Sequence, residues 1–237
     1  MVIDMEYYSY TGNKILIGHF PGKTKYVEKD LINELKKIKF RLPNNISIIS
    51  ILSDKYLNSA PLNYQLNHNN IKYINYLKDK NTIYKPYNKI KYVLNSLYQS
   101  DTEYSLILDG NDVVILSDLD NIIELFKTYN KKIIYNATIW MYPHIIIDNV
   151  KNRGQYGQYC YLNAGCCIGY TKSLIDFYEY AYAILQTNRM LIDSEQYYIR
   201  KAFNDNQDKV FFDYKCKIFQ CWHKQEYKIE NNKCYLL

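Results

Sequence analysis

Leu106-Ile107-Leu108-Asp109-Gly110-Asn111-Asp112-Val113-Val114 places two carboxylates three positions apart at the end of an apolar run. With Tyr104 and Ser105 in front of it, the run reads as a buried strand that passes straight into Asp109. Ligands of open α/β sheets bind outside the carboxyl ends of strands. Two hard oxygen ligands at that place can hold Mg2+ or Mn2+, with a diphosphate completing the coordination sphere. Asp-Gly-Asn-Asp is also made of common turn formers, so a plain turn is the competing reading.

Outward from this segment, strands and helices alternate. Upstream, the β-branched run Ile46-Ser47-Ile48-Ile49-Ser50-Ile51-Leu52 follows Pro43 and Asn44-Asn45 and predicts a central strand of a parallel sheet. Before it, apolar residues at 27, 31, 32, 35 and 38 predict an amphipathic helix over 27–40, and Lys14-Ile15-Leu16-Ile17-Gly18 a short strand. Residues 61–70 can hold a short helix, 71–76 read as a strand, and apolar positions 90, 93, 94 and 97 predict a helix over 89–98. Downstream come a helix over 121–129 and a strand over 132–135. The alternation implies an α/β fold, a mostly parallel sheet covered by helices. No repeat or Pro/Gly-rich linker interrupts it, so one domain over 1–237 is expected, with 1–45 as an N-terminal extension of undefined role.

A hydrophobic fraction of 48% and a charged fraction of 23% suit a soluble globular protein, and 237 residues can bury a core without staples. The excess of 28 Tyr over 8 Phe, with abundant Asn, Ile and Lys, reflects AT-rich codons rather than function. A net charge of +6 would suit an anionic small ligand or nucleic acid. Its basic residues are dispersed into small clusters such as Lys36-Lys37-Ile38-Lys39, which read as solvated faces, so charge alone gives nucleic-acid binding no support. The six cysteines form no CxxC pair and no zinc-like spacing with histidine. Neither a signal-peptide pattern nor an apolar run near the ~20 residues of a membrane span is visible, so a soluble, cytoplasmic protein is the default expectation.

Two further segments can carry chemistry. In Tyr161-Leu162-Asn163-Ala164-Gly165-Cys166-Cys167-Ile168-Gly169, small residues let a ligand approach the backbone, and Asn163 offers both donors and an acceptor. A tight turn entering a buried strand is the other reading. In Asp193-Ser194-Glu195-Gln196, Asp193 and Gln196 fit a capping box at the start of a helix over 194–203. Glu195 suits the helix N-terminal dipole, or can hydrogen-bond sugar hydroxyls or act on an acceptor.

The order of these motifs resembles the GT-A glycosyltransferases, glycogenin-like enzymes among them, and more closely the glycosyltransferase domain of the procollagen lysyl hydroxylase family. The likeness rests on Asp109-x-x-Asp112, Asn163-Ala164-Gly165 with Ile168-Gly169, the acidic run before Gln196, Trp140, and Lys215-Cys216-Lys217-Ile218-Phe219-Gln220, and spans roughly residues 46–220. It implies a GT-A, Rossmann-like fold and transfer of a hexose from UDP-glucose or UDP-galactose to an acceptor hydroxyl. The acceptor would be a hydroxylysine of a collagen-like protein or a glycan. Asp109 and Asp112 would hold Mn2+ (or Mg2+) and the diphosphate. Asn163, Asp193 and Glu195 would line the sugar and acceptor side, with Trp140 nearby. Lys89, in Tyr87-Asn88-Lys89-Ile90, is similar to a Gln-Lys segment near the nucleotide, although it also reads as a solvated lysine at a helix start.

The sequence departs from that family in three places. The family's third metal ligand, a His in a His-Gly-Asn-Gly segment beyond the Cys-containing motif, has no counterpart there, which leaves His223 as the downstream substitute. Gly110-Asn111 replaces an aromatic between the aspartates, and Ser194 stands where the family has Asp. The missing His segment favours the alternative of a degenerate GT-A domain that binds a nucleotide sugar or a protein partner without turnover, while the intact Asp109, Asp112 and Asn163 favour the active enzyme. A nucleotidyltransferase would need a Gly- and basic-rich phosphate loop after the first strand, which Ser53-Asp54-Lys55 is not.

Overall fold

The computed structural model describes residues 6–9, 11–21, 29–52, 60–71, 73–77, 85–145, 156–187, 192–223, 227–230 and 233–236. Residues 27–28 of the expected first helix and Ser53-Asp54-Lys55 lie outside them. The apolar runs form a six-stranded sheet of β3 (Ile46–Leu52), β4 (Ile74–Leu77), β5 (Tyr104–Asp109), β7 (Ile133–Thr138), β8 (Tyr161–Tyr170) and β9 (Val210–Phe212). Their order is β4-β3-β5-β8-β7-β9. All run parallel except β8, which is antiparallel to both neighbours. This is the α/β, mostly parallel, helix-covered arrangement that the alternation of strands and helices predicts.

The period-2 geometry of the strands splits their apolar residues between two faces. Ile49, Ile107, Tyr135 and Cys167 face one core, with Ile90, Val93, Leu94 and Leu97 of α3 (Asn88–Leu97), Leu174 and Phe177 of α5 (Thr171–Thr187), and Tyr198 and Ile199 of α6 (Glu195–Asn204). Ile48, Leu106, Leu108, Ile134 and Ile168 face the other, against Leu62 and Leu66 of α2 (Pro61–His68) and Leu119, Ile122, Ile123 and Phe126 of α4 (Leu119–Lys127). Each fully buried Val, Leu, Ile or Phe among them contributes about 1.5–3 kcal/mol. No helix among the described residues is long and apolar enough to cross a membrane.

A second, three-stranded sheet has β2 (Ile17–His19) in its centre, antiparallel to β6 (Val113–Ile115) and parallel to β10 (Phe219–Cys221). A third joins β1 (Glu6–Tyr8), β12 (Lys233–Leu236) and β11 (Tyr227–Glu230). Over the second sheet lies a small core of Ile15, Phe20, Val114 and Trp222 with Ile32 and Leu35 of α1 (Lys29–Leu35).

Several local expectations change. The helix predicted over 27–40 is described only as Lys29–Leu35, followed by a turn in which Ile38 N bonds Leu35 O at 3.0 Å. Beyond it, α2 and the start of α4 capture the backbone. Gln65 and Asn69 donate to Ile38 O, Asn69 Oδ1 accepts from Phe40 N, and Asp118 accepts from Arg41 N. These tertiary bonds replace the intrahelical ones that a longer helix would make. The short strand expected at 14–18 lies at Ile17–His19, and Asn163-Ala164-Gly165 falls inside β8 rather than in a turn before it.

Candidate functional site

β5 ends at Asp109, and Gly110-Asn111-Asp112 turns the chain into β6, so the turn and the acidic pair are one feature. The turn packs closely on β3, because a Cβ on Gly110 would lie 2.6 Å from Ser50 Oγ. Pairing of β6 with β2 sets Val113 opposite His19, and Phe20 N donates to Asp112 O at 2.8 Å. That register brings His19 Nε2 to 3.5 Å from Asp112 Oδ1 and 3.9 Å from Asp109 Oδ2. One ligand atom from each of the three residues lies within 4.8 Å of the others.

In an octahedral site with bonds of about 2.1 Å, neighbouring ligands are about 3 Å apart and opposite ones about 4.2 Å. The two distances from His19 Nε2, 3.5 and 3.9 Å, fall between these, so one imidazole nitrogen and two carboxylate oxygens could converge on a single divalent cation. The donor set holds no thiolate and is one that could hold a divalent cation.

β8 is shaped to this group. Between Tyr135 and Asn136 the β7 chain advances one residue, while the partner in β8 changes from Cys167 to Asn163. Ala164, Gly165 and Cys166 therefore bulge away from β7, and bulges commonly re-aim side chains beside sites. A Cβ on Gly165 would stand 2.4 Å from His19 Cε1 and 2.9 Å from both Asp109 Oδ2 and Asn163 Oδ1. Asn163 Oδ1 accepts from Gly165 N at 2.8 Å, and Gln196 Oε1 from Ala164 N at 3.1 Å.

Lys89 opens α3 beneath the bulge. Its Nζ bonds Asp109 Oδ1 and lies 3.4 Å from Ala164 O and 3.6 Å from Glu195 Oε1. The reading of Lys89 as solvated is corrected, since it is only 5% exposed. Burial works against its charge, but Asp109 and Glu195 outweigh burial and raise its pKa well above the ordinary lysine value. Burial raises the Glu195 pKa, while Lys89 draws it down and Asp109 pushes it up. Burial likewise disfavours charge on His19, yet Asp112 and Cys221 raise its pKa to about 10. For Cys221, burial pushes the thiol pKa up, but His19 and His223 bring it down to about 7.

The structure thus gathers Asp109, Asp112, Lys89, Asn163 and Glu195. Asp193 stands outside this group, its Oδ2 3.6 Å from Lys85 Nζ. The expected capping box is absent. Ser194 occupies the N-cap without a side-chain cap bond, and Gln196 instead bonds Ala164 N and Tyr142 O. Trp140, 62% exposed, projects from the loop after β7, and the loop's carbonyls at Tyr142 and Pro143 accept from buried Arg200. His223 Nε2 is 2.7 Å from Thr138 Oγ1 rather than within the carboxylate group. The histidine beside the aspartates is His19, which the sequence reading passed over. Its local signal was a histidine after the apolar run Ile15-Leu16-Ile17, flanked by Gly18 and Phe20-Pro21-Gly22.

The family model described as the PLOD GT domain matches residues 84–234, well over half of the chain. No curated protein matches it significantly. His19 lies outside the matched residues, whereas Lys89, Asp109, Asp112, Asn163 and Glu195 lie within them.

Proposed function

The chain belongs to the procollagen lysyl hydroxylase glycosyltransferase (PLOD GT) domain family, and on that premise we propose that it moves a hexose from UDP-glucose or UDP-galactose to an acceptor hydroxyl. The acceptor in this reading is a hydroxylysine of a collagen-like protein or a glycan. The observation that carries the proposal is the convergence of His19, Asp109 and Asp112 at the carboxyl end of β5.

These three residues are the proposed holders of Mn2+ or Mg2+. Bound there, the cation supplies positive charge against the negative charge that develops on the departing diphosphate. Lys89 holds one oxygen of Asp109, leaving Oδ2 turned toward His19. Asn163 and Glu195 line the sugar and acceptor side, with Glu195 held near Lys89 and able to accept a hydrogen bond from a hydroxyl. Asp193 and Trp140 lie farther out, where an acceptor arrives, and His223 supports the loop after β7 through Thr138. Residues 15–20 belong to the same glycosyltransferase unit, since they supply β2.

Calorimetric titration of UDP, UDP-glucose and UDP-galactose with and without Mn2+ tests the reading. Binding is expected only with Mn2+, and Asp112→Ala is expected to abolish it while leaving the far-ultraviolet circular dichroism unchanged. Unaltered binding by Asp112→Ala would sink the metal assignment. Gly110-Asn111, in place of an aromatic, favours the second reading of a domain that binds without turnover. Mn2+-dependent binding with no sugar transfer or donor hydrolysis would select it.

A further inference from the structure

Resting on the metal reading above, we infer that Asn136 is a positioning residue for that site, its amide oxygen receiving the Nδ1 hydrogen of His19 so that Nε2 is presented to the cation. A neutral imidazole that gives its Nε2 lone pair to a metal keeps its ring hydrogen on Nδ1, and a hydrogen-bond acceptor there fixes the ring's tautomer and orientation. The side chain beside Nδ1 is the Asn136 amide, with Nδ2 at 3.1 Å. Cys221 Sγ, at 3.9 Å, is the other neighbour and a much weaker acceptor.

Asn136 is wholly buried, and its Oδ1 has no hydrogen-bond partner among the described residues. A half-turn of the amide about its Cβ–Cγ bond exchanges two ends of the same shape and sets Oδ1 against Nδ1. A donor would then meet an acceptor, where Nδ2 against Nδ1–H sets two donors face to face. The backbone explains how Asn136 reaches this place. It is the first β7 residue past the register break, paired with Asn163 across the bulge that holds Gly165 against the His19 ring. Packing alone would be met at this position by an apolar side chain, as it is at neighbouring Ala137.

The test is a double-mutant cycle of Mn2+ affinity, read by electron paramagnetic resonance without nucleotide, on wild type, Asn136→Leu, His19→Ala and the double variant. Asn136→Leu should lose roughly 10–100-fold in affinity, as outer-shell substitutions typically do. It should lose nothing further in the His19→Ala background. Independent, additive losses would make Asn136 a general structural residue and overturn the inference, as would unchanged affinity in Asn136→Leu. If the wild type binds no Mn2+, or if Asp112→Ala and His19→Ala both bind as wild type does, the metal reading itself fails. In case Asn136→Leu does not fold, 15N spectra of the wild-type His19 ring with Mg2+ give a second readout. A hydrogen on Nδ1 is expected in the Mg2+-loaded protein, and a hydrogen on Nε2 overturns the inference.

Discussion

Gly165 sets how closely β8 can approach the carboxylates and the imidazole. Its missing side chain leaves room for the His19 ring, for Asp109 Oδ2 and for Asn163 Oδ1, all within 3 Å of where a Cβ would stand. Alanine here would push against a buried ring and a carboxylate fixed by Lys89, and neither can retreat without losing a bond. Gly165→Ala should therefore weaken Mn2+ binding by roughly 10–100-fold, the range found when the support of a metal ligand is disturbed. Titration of Mn2+ into the variant checks this, and unchanged affinity would move the cation away from these three residues. The same crowding accounts for Gly165 in the Asn-Ala-Gly motif, whose small residues read in the sequence as room for a ligand, whereas the His19 ring and the Asp109 carboxylate are what approach Gly165.

Among the elements, α6 and β8 share a core through Tyr198, Ile199 and Cys167 and are tied by a hydrogen bond at Gln196. A capping box would have spent that side chain on its own helix, but here it reaches across to Ala164 N in the bulge and to Tyr142 O in the loop bearing Trp140. Gln196→Ala leaves a buried backbone N–H without its partner, at a cost of about 1–3 kcal/mol. Urea unfolding should register that loss, together with weaker donor binding as the bulge relaxes. A change below about 0.5 kcal/mol would mean that the bulge is held by β5 alone. The pattern Asp-x-x-Gln suits either a cap or a cross-element tie, because both begin with a polar side chain in the first helical turn. Only the position of β8 selects the tie.

At the scale of the molecule, the site depends on the N-terminal strand. β2 lies between β6 and β10, strands far from it in the chain, and delivers His19 to a turn some ninety residues away in sequence. Phe20 anchors this strand, stacking on Trp222 at 4.9 Å, while Trp222 N donates to His19 O at 2.7 Å. Phe20→Ala should cost about 3–5 kcal/mol, the range for a buried phenylalanine, and should lower the thermal midpoint and Mn2+ affinity together. A lower midpoint with metal affinity intact would separate the small N-terminal core from the site. The third ligand of the proposed site thus enters from outside residues 84–234, on the N-terminal side, where the resemblance led to a histidine on the C-terminal side.

Local chemistry was enough to determine the strand running into Asp109, the buried runs at 46–52 and 133–135, the helical spacing at 90, 93, 94 and 97, and the order of motifs that carries the family resemblance. Strand period, helix period and turn composition are short-range properties, so a single sequence expresses them. Which histidine meets the aspartates, whether Lys89 is solvated or buried, and what Gln196 bonds were decided by tertiary structure. Each depends on strand pairing or burial between segments far apart in the chain. No local pattern encodes that register, which is fixed by how the sheets and helices pack together.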